Sequence, residues 1–164
     1  MRAHTAFERF SEANQHCLFV ISLVILRVCI GVEFLYAGVT KMTNWSAAGF
    51  LEHATGPFAS MFQAMAGSHV VDLLNIWGLT LIGVALILGL LVRPAAIFGI
   101  ILMKLYYWAG FDANTAHGLI DEHIILICAF LMLASGGAGH VFGLNGFVQE
   151  YFRKKNAFVR ALFG

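Results

Sequence analysis

Four long apolar runs constrain the fold of this chain more than any other feature of its sequence. They cover about residues 17–40, 70–92, 94–110 and 119–135. An α-helix needs about 20 mainly apolar residues to cross a bilayer, and flanking aromatic and long side chains can accommodate the two shorter runs. Little more than Arg93 and Pro94 separates the middle two runs, and proline is tolerated in a first helical turn. The pattern predicts an all-α membrane protein, a four-transmembrane-helix bundle in a single domain of residues 1–164.

Composition favours lipid rather than water around these runs. Of the 164 residues, 60% are hydrophobic and 12% are charged, with a mean hydropathy of +0.81, whereas soluble domains are about half apolar and a quarter charged. A chain of this size has too much surface to hide so many apolar side chains in one soluble core. The net charge of +1 gives no reason to expect a nucleic-acid partner.

The basic residues outside the runs predict the orientation in the membrane. Those near the N-terminus, between the second and third runs and in the C-terminal tail fall on one side: Arg2, Arg9, Arg93, Arg153, Lys154, Lys155 and Arg160. The opposite side has little beyond Lys41. Because lysine and arginine favour cytoplasmic loops, we expect a multi-pass protein of the cell (inner) membrane with both termini in the cytoplasm.

Two further segments are amphipathic. The loop after the first run carries apolar residues on both sides of Gly56-Pro57, which predicts two short helices that lie on the outer interface or cap the bundle. About residues 144–162 would form an amphipathic helix, with apolar side chains along one stripe and basic side chains mostly on the other faces. That pattern is typical of an interfacial helix at an anionic cytoplasmic leaflet.

The segment RVCIGVEFLYAGVTK, residues 27–41, carries charge inside the first run. Arg27, Gly31, Phe34, Gly38 and Lys41 are spaced by four, three, four and three residues, so they share one face of a helix. Two glycines on that face allow a second helix to approach closely. We therefore expect this face to point into the bundle.

Three charged residues lie well within the runs, away from their ends: Arg27, Glu33 and Lys104. A charge at the bilayer centre costs about 3 kcal/mol on insertion scales, and such residues usually face the interior and pair. Glu33 is the only acid well within a run, so it is the expected counter-ion of Lys104 or Arg27. The other cation is then available to backbone carbonyls, water or an anionic ligand. Buried pairs that only fix packing remain the alternative.

The outer half of the bundle is expected to be polar and aromatic, which suits a quinone site. Quinones arrive from the bilayer and need an apolar slot with a few polar groups for two carbonyls and for protons. First-turn acids that complement a helix dipole and interfacial aromatic belts would give the same pattern without chemistry. No histidine lies deep in a run and no metal-ligand spacing repeats, so neither haem nor a metal is expected. The candidate catalytic residues are Glu33, Lys104, Glu122 and His123; the candidate quinone-binding residues are Arg27, Tyr36, Lys41, Asn75 and Tyr107.

Several segments resemble the DoxX/DoxD superfamily of four-helix membrane proteins. RVCIGVEFLYAGVTK resembles its first-span signature, NIWGLTLIGVALILGLLVRPAA its second span, and ASGGAGHVFGLN its G-x-G ending. His140 and Asn145 depart from the arginine and S-L-D that the family often has there. GFLEHATGPF and HGLIDEHI are most similar to the DoxD-type small subunit of thiosulfate:quinone oxidoreductase. The resemblance covers about Leu23 to Asn145.

The resemblance implies a quinone-linked oxidoreductase subunit. Such a protein would oxidise thiosulfate, or a similar reduced sulfur donor, at the outer face and pass electrons to the quinone pool with a second subunit. An unpaired Lys41 or Lys104 would bind the anion, and Glu33, Glu122 and His123 would handle protons. The alternative is a non-catalytic accessory subunit of a larger respiratory or redox complex, in which the glycine face is a helix interface rather than a pocket wall.

Overall fold

The structure is a computed structural model that describes residues 6–116, 118–136 and 143–144, with side chains from residue 14 onward. The described residues form seven α-helices: α1 (Ala6–Val39), α2 (Ala48–Glu52), α3 (Ala59–Gln63), α4 (His69–Leu88), α5 (Val92–Ala109), α6 (Phe111–Asn114) and α7 (Glu122–Ser135). A 3-10 turn, Thr40–Met42, follows α1. The interfacial helix predicted at 144–162 lies, except for its first residue, outside the described residues.

Two of these helices are long and apolar enough to cross a membrane, Asn14–Met42 and His69–Leu88. The 14 residues of α7 are also apolar, but they are fewer than the roughly 20 that a full crossing needs. Helix α5 has 18 residues and includes Arg93 and Lys104. The predicted all-α class is therefore confirmed for the described residues, together with two membrane-capable helices.

The four longer helices pack as two pairs. Helix α1 packs mainly on α4, and α5 packs mainly on α7. The pairs meet more sparsely where α4 touches α5, and most sparsely where α1 touches α7. The centre is filled by Phe34, Leu86, Ala96, Phe130 and Leu133, each at most 3% exposed. Because lipid tails are as apolar as this core, close van der Waals packing must hold such helices together.

Glycines bring α1 and α4 into close contact. A Cβ atom added at Gly83 would lie 2.7 Å from the Cα of Leu35, and one at Gly31 would lie 2.9 Å from Cγ1 of Ile87. One at Gly38 would meet the backbone of Thr80 at 2.7 Å. The predicted inward face of α1 is confirmed, since both of its glycines are covered by α4.

The α4–α5 connection defines what we call the turn end of the bundle. Gly89 caps α4 in the left-handed conformation with φ of 63°, which costs glycine little. Leu91 also has a positive φ, 53°. Arg93 Nε donates to the carbonyl of Ala134 over 3.2 Å. This bond ties the start of α5 to the end of α7.

The opposite end, which we call the loop end, carries residues 40–68, 110–116 and 118–121. Helices α2 and α3 lie there, around a small core of Ala47, Leu51, Ala54, Phe62 and Ala109. The Asp72 carboxylate at the start of α4 accepts the N–H of Ala47 over 2.7 Å. The loop therefore folds as a cap on the bundle, which was one of its two predicted arrangements.

Candidate functional site

A cavity of about 170 Å³ lies between the four longer helices near the loop end. Its apolar wall comes from Phe34, Ala37, Leu79, Met103 and Leu126; its polar groups come from Glu33, Lys41, Tyr106, Glu122 and His123. It takes residues from α1, α4, α5 and α7, and from the 3-10 turn after α1. Glu33 of α1 and Glu122 of α7 are both exposed. The cavity therefore opens at the sparse contact between these two helices.

The packing explains the location of this cavity. Glycines draw α1 onto α4, and Gly99 of α5 is closed over by the Phe130 ring of α7. Helices α1 and α7 meet at the level of Phe34 and Phe130, whose ring centroids are 5.2 Å apart, and at the end of α7, where a Cβ atom added at Gly136 would lie 2.7 Å from Leu23 Cδ1. Above the contact between these two rings, toward the loop end, the two helix pairs leave the space open.

His123 and Asp121 are in direct contact, and the contact is an ion pair whenever the imidazole is protonated. His123 Nδ1 lies 2.6 Å from Asp121 Oδ2. Asp121 is also the N-cap of α7, and its Oδ1 accepts the N–H of Ile124 over 3.1 Å. Asp121 lies outside α7, which begins at Glu122. Desolvation acts to raise the pKa of the Asp121 carboxyl, but the hydrogen bonds from His123 and Ile124 have a larger effect and hold that pKa below its usual range.

Tyr106 is a cavity residue that the sequence did not single out. Its hydroxyl oxygen accepts the Nδ2–H of Asn75 over 2.6 Å, and its ring meets the His123 ring edge-on at 6.1 Å between centroids. In this orientation of the amide, the phenol keeps its own proton for an acceptor in the cavity. Asn75, which was predicted to bind quinone, does not line the cavity, and it contacts the cavity residue Tyr106 through this hydrogen bond.

The sequence prediction chose Tyr107 instead, the next residue along α5. Tyr107 is 8% exposed, and its hydroxyl donates to the Leu119 carbonyl over 3.0 Å. Its ring contacts Trp108 and Phe111. Tyr107 therefore fastens the loop before α7 and does not line the cavity.

Three predicted polar residues lie at the cavity mouth. Glu33 and Glu122 are exposed and lie on α1 and α7. Lys41 is half-buried, with Nζ 3.4 Å from the Ala37 carbonyl and 5.2 Å from the centroid of the Trp45 ring. A cation over an indole face is a favourable contact. It holds the ammonium at the loop end of the cavity.

Three other predicted residues do not reach the cavity. Lys104 and Tyr36 lie on exposed faces of α5 and α1, and Tyr36 is 72% exposed. Arg27 is buried, but its Nη1 would lie 2.6 Å from a Cβ atom at Gly89, which places it at the turn end. The predicted pair of Glu33 with Lys104 or Arg27 is not among the ion pairs of the described residues.

The face of α5 explains why Lys104 points away. Its buried residues Ala96, Gly99, Met103 and Tyr107 follow a helical spacing. Lys104 is turned about 100° from Met103, whereas Tyr106 is turned only about 60° the other way. Small residues at this spacing are the sequence signal that could have selected Tyr106 over Lys104, since they mark a packed helix face.

The cavity has the size and polarity for one small ring. An apolar cavity of about 150 Å³ holds benzene, and ligand sites in general combine apolar walls with a few placed polar groups. Among the described residues, no group of three His, Cys, Asp or Glu side chains could hold a metal ion. The expectation of a site without haem or metal stays a prediction.

Comparison with known proteins gives one family. Residues 22–111 match the family model described as DoxX. No curated protein and no solved structure matches the chain. The matched region covers α1 to the start of α6 and therefore contains every cavity residue except those of α7.

Proposed function

This chain belongs to the DoxX family of membrane proteins, and on that premise we propose that it is a quinone-linked oxidoreductase subunit with its quinone site in the loop-end cavity. The donor proposed is thiosulfate, or a similar reduced sulfur compound, oxidised at the outer face. The observation that carries the quinone part is the cavity itself. Its volume is sufficient for a single ring, its walls are mainly apolar, and the side chains of Tyr106 and His123 line it.

The opening between α1 and α7 suits a ligand that arrives from lipid. Both helices present exposed apolar side chains on their surfaces, including Val32 and Ile125. A quinone tail could remain among lipid tails while its ring enters beside Glu33. The sparse contact between these two helices leaves room for that passage.

The polar groups match the needs of quinone reduction. A quinone takes up two electrons and two protons to become a quinol. Tyr106 and His123 offer donors to carbonyl oxygens, and Glu122 connects the cavity to its exposed mouth. Groups within hydrogen-bond reach of a reacting oxygen can transfer protons to it.

The donor is proposed to act outside the cavity rather than within it. Two thiosulfate ions yield the two electrons when they join as tetrathionate. The cavity lining has two carboxyl groups, Glu33 and Glu122, against one ammonium, Lys41. A dianion would be opposed by those carboxyl groups, whereas an uncharged ring would not. Lys41 and a second subunit at the loop end are therefore the proposed donor side.

The same proposal includes a topology. Helices α1, α4, α5 and α7 would each cross the inner membrane, the two shorter ones with local thinning and reaching side chains. The loop end would face outward and both termini would lie in the cytoplasm. The basic residues near the turn end, Arg27 and Arg93 among them, support this orientation.

A non-catalytic accessory subunit is the alternative proposal. In that alternative the glycine face of α1 is a helix interface rather than a pocket wall. Gly31 and Gly38 are covered by Ile87 and Thr80 of α4, so this face is a helix interface within the chain. The cavity between α1 and α7 is the observation that favours the oxidoreductase proposal.

Quinone binding by the purified protein tests this function. A short-tailed quinone analogue is titrated into the protein in lipid nanodiscs, and binding is followed by quenching of tryptophan fluorescence. Ala37→Leu adds bulk to the cavity wall and is expected to weaken binding by about 10-fold or more, as overpacking excludes the ring. Ala113→Leu makes the same change on exposed α6 and should leave affinity unchanged.

The outcomes separate the two parts of the proposal. Equal affinity in the wild type and in Ala37→Leu would remove the quinone site from this cavity. Thiosulfate is then added to native membranes that contain the protein, and loss of quinone absorbance is recorded. Quinone binding without any thiosulfate-dependent reduction would leave the quinone site standing and refute the donor.

A further inference from the structure

The geometry points to Asp121 as a positioning residue that orients His123 for proton transfer to the quinone. This inference rests on the proposed quinone function and deepens it. His123 lines the cavity, while Asp121 lies behind it and does not line it. The two are joined by the 2.6 Å contact between Nδ1 and Oδ2.

The hydrogen bond fixes which ring nitrogen carries a proton. A carboxylate can only accept, so Nδ1 of His123 must be the donor in this contact. The remaining nitrogen, Nε2, is then the one left to serve the cavity. A carboxylate behind a histidine both selects its tautomer and stabilises the imidazolium that forms when Nε2 takes a proton.

Asp121 is itself held in place by the backbone. Its Oδ1 accepts the N–H of Ile124 in the first turn of α7, and its backbone is extended at the N-cap position. With one oxygen bonded to the helix and the other to His123, the carboxylate cannot rotate without losing a bond. The dyad is therefore pre-organised on a helix end rather than on a free loop.

Proton transfer then balances in a simple way. Nε2–H of protonated His123 gives its proton to a quinone carbonyl oxygen as the two electrons arrive from the proposed donor. The neutral ring, still donating Nδ1–H to Asp121, recovers a hydrated proton from bulk solvent at the exposed mouth beside Glu122. The second proton of the quinol is a hydrated proton from bulk solvent that follows the same route.

The other charged and titratable groups around His123 are few. Tyr106 of α5 faces its ring, Glu122 is its neighbour on α7, and Glu33 and Lys41 also line the cavity. On α4, the neutral amide of Asn75 donates to Tyr106. Asp121 is the one that touches the ring nitrogen.

Asp121→Asn is the decisive variant because asparagine keeps the helix cap. Its oxygen can still accept from Ile124, but its amide group would now donate toward Nδ1 and force the proton onto Nε2. The rate of quinone reduction is expected to fall by about 10–100-fold, as for other residues that orient a functional histidine.

Asp72→Asn is the matched control. It makes the same change at the loop end, in a carboxylate that accepts the Ala47 N–H and does not line the cavity. It should lower thermal stability slightly and leave the rate of quinone reduction in place. An equal fall in rate in both variants would show that only overall charge matters and would overturn the inference.

The tautomer of His123 can be read without any quinone. Histidine-selective ¹⁵N spectra of the protein in micelles, with the His123 signals assigned by their loss in His123→Gln, should show Nδ1–H in the wild type. A neutral ring that carries its proton on Nε2 and none on Nδ1 would overturn the positioning role even if quinone binds. Nδ1–H together with no quinone binding would instead refute the proposed function and leave the dyad intact.

Discussion

Helix α1 meets its two neighbours in opposite ways. Against α4 it presents glycines. A Cβ atom added at Gly38 would clash with the backbone of α4, and one added at Gly83 would clash with the backbone of α1. Against α7 it presents larger and polar side chains, touches sparsely, and leaves a cavity of about 170 Å³. One contact has no room for a methyl group, and the other has room for a ring.

The difference teaches how a small membrane bundle can hold a site. In lipid the helices gain little from burying apolar surface, so close contact between small residues supplies the stability. The α1–α4 contact fixes the positions of Glu33 and Lys41 along α1. The α1–α7 contact is then free to remain incomplete, and its polar groups gather there. Three predictions test this division.

The largest effect is expected at the tight contact. Gly83→Ala places a Cβ atom 2.7 Å from the Cα of Leu35, and the backbone of α1 cannot yield locally. We expect a loss of about 1–3 kcal/mol in stability, the usual cost of overpacking. Thermal unfolding of the purified protein in detergent would measure it.

Gly78→Ala is the control for this change. It lies on the same helix, and an added Cβ atom there meets nothing within 4 Å. Alanine should leave stability unchanged or raise it by up to about 1 kcal/mol, because glycine is the poorer helix former. Equal melting temperatures for the two variants would contradict the tight contact.

An intermediate effect is expected from neighbouring tyrosines on α5. Tyr106→Phe removes the hydroxyl that lines the cavity and accepts from Asn75. Loss of the proposed hydrogen bond from this hydroxyl to a quinone carbonyl costs about 1 kcal/mol, so quinone-analogue affinity should fall about 5–10-fold. Titration in nanodiscs would record the change.

Tyr107→Phe provides the opposite result. It breaks the hydrogen bond to the Leu119 carbonyl, so it should lower the melting temperature while affinity stays within about twofold, since the loss falls on the fold. A larger loss of affinity in Tyr107→Phe than in Tyr106→Phe would reassign the wall of the cavity.

The smallest effects are expected from the lysines. Lys41→Met should slow thiosulfate-dependent quinone reduction a few-fold, because Lys41 supplies the ammonium at the cavity. Lys104→Met, on the exposed face of α5, should change stability by no more than about 0.5 kcal/mol and leave the rate unaltered. A greater loss of rate in Lys104→Met would restore the pairing first predicted for Lys104 and Glu33.

Much of α1 could be predicted from its residues. The spacing of Arg27, Gly31, Phe34, Gly38 and Lys41 identified the inward face because small residues mark helix contacts. The direction in which the Arg27 side chain extends along the bundle could not be predicted. This side chain reaches Gly89 at the turn end, because the long stem of arginine allows its charge to lie far from its Cα.

The placement of residues on α5 was harder to predict for a physical reason. In a soluble helix the polar face marks the outside, but in lipid both faces are apolar. Lys104 therefore looked like an interior charge, and Tyr106 and Tyr107 were indistinguishable by composition. Only the neighbours of each residue in three dimensions separated the cavity wall from the loop anchor.

The sequence by itself determined the class of the protein, its apolar helices, a helix start near Pro94 and the glycine face of α1, but it predicted the end of the second run about four residues beyond Leu88, where α4 ends. These follow from local rules of length, spacing and backbone conformation. The tertiary structure decided which helices pair, that the α1–α7 contact stays open, and that His123 meets both Asp121 and Tyr106 there. Those features depend on how closely distant side chains allow helices to approach, and no single segment carries that information.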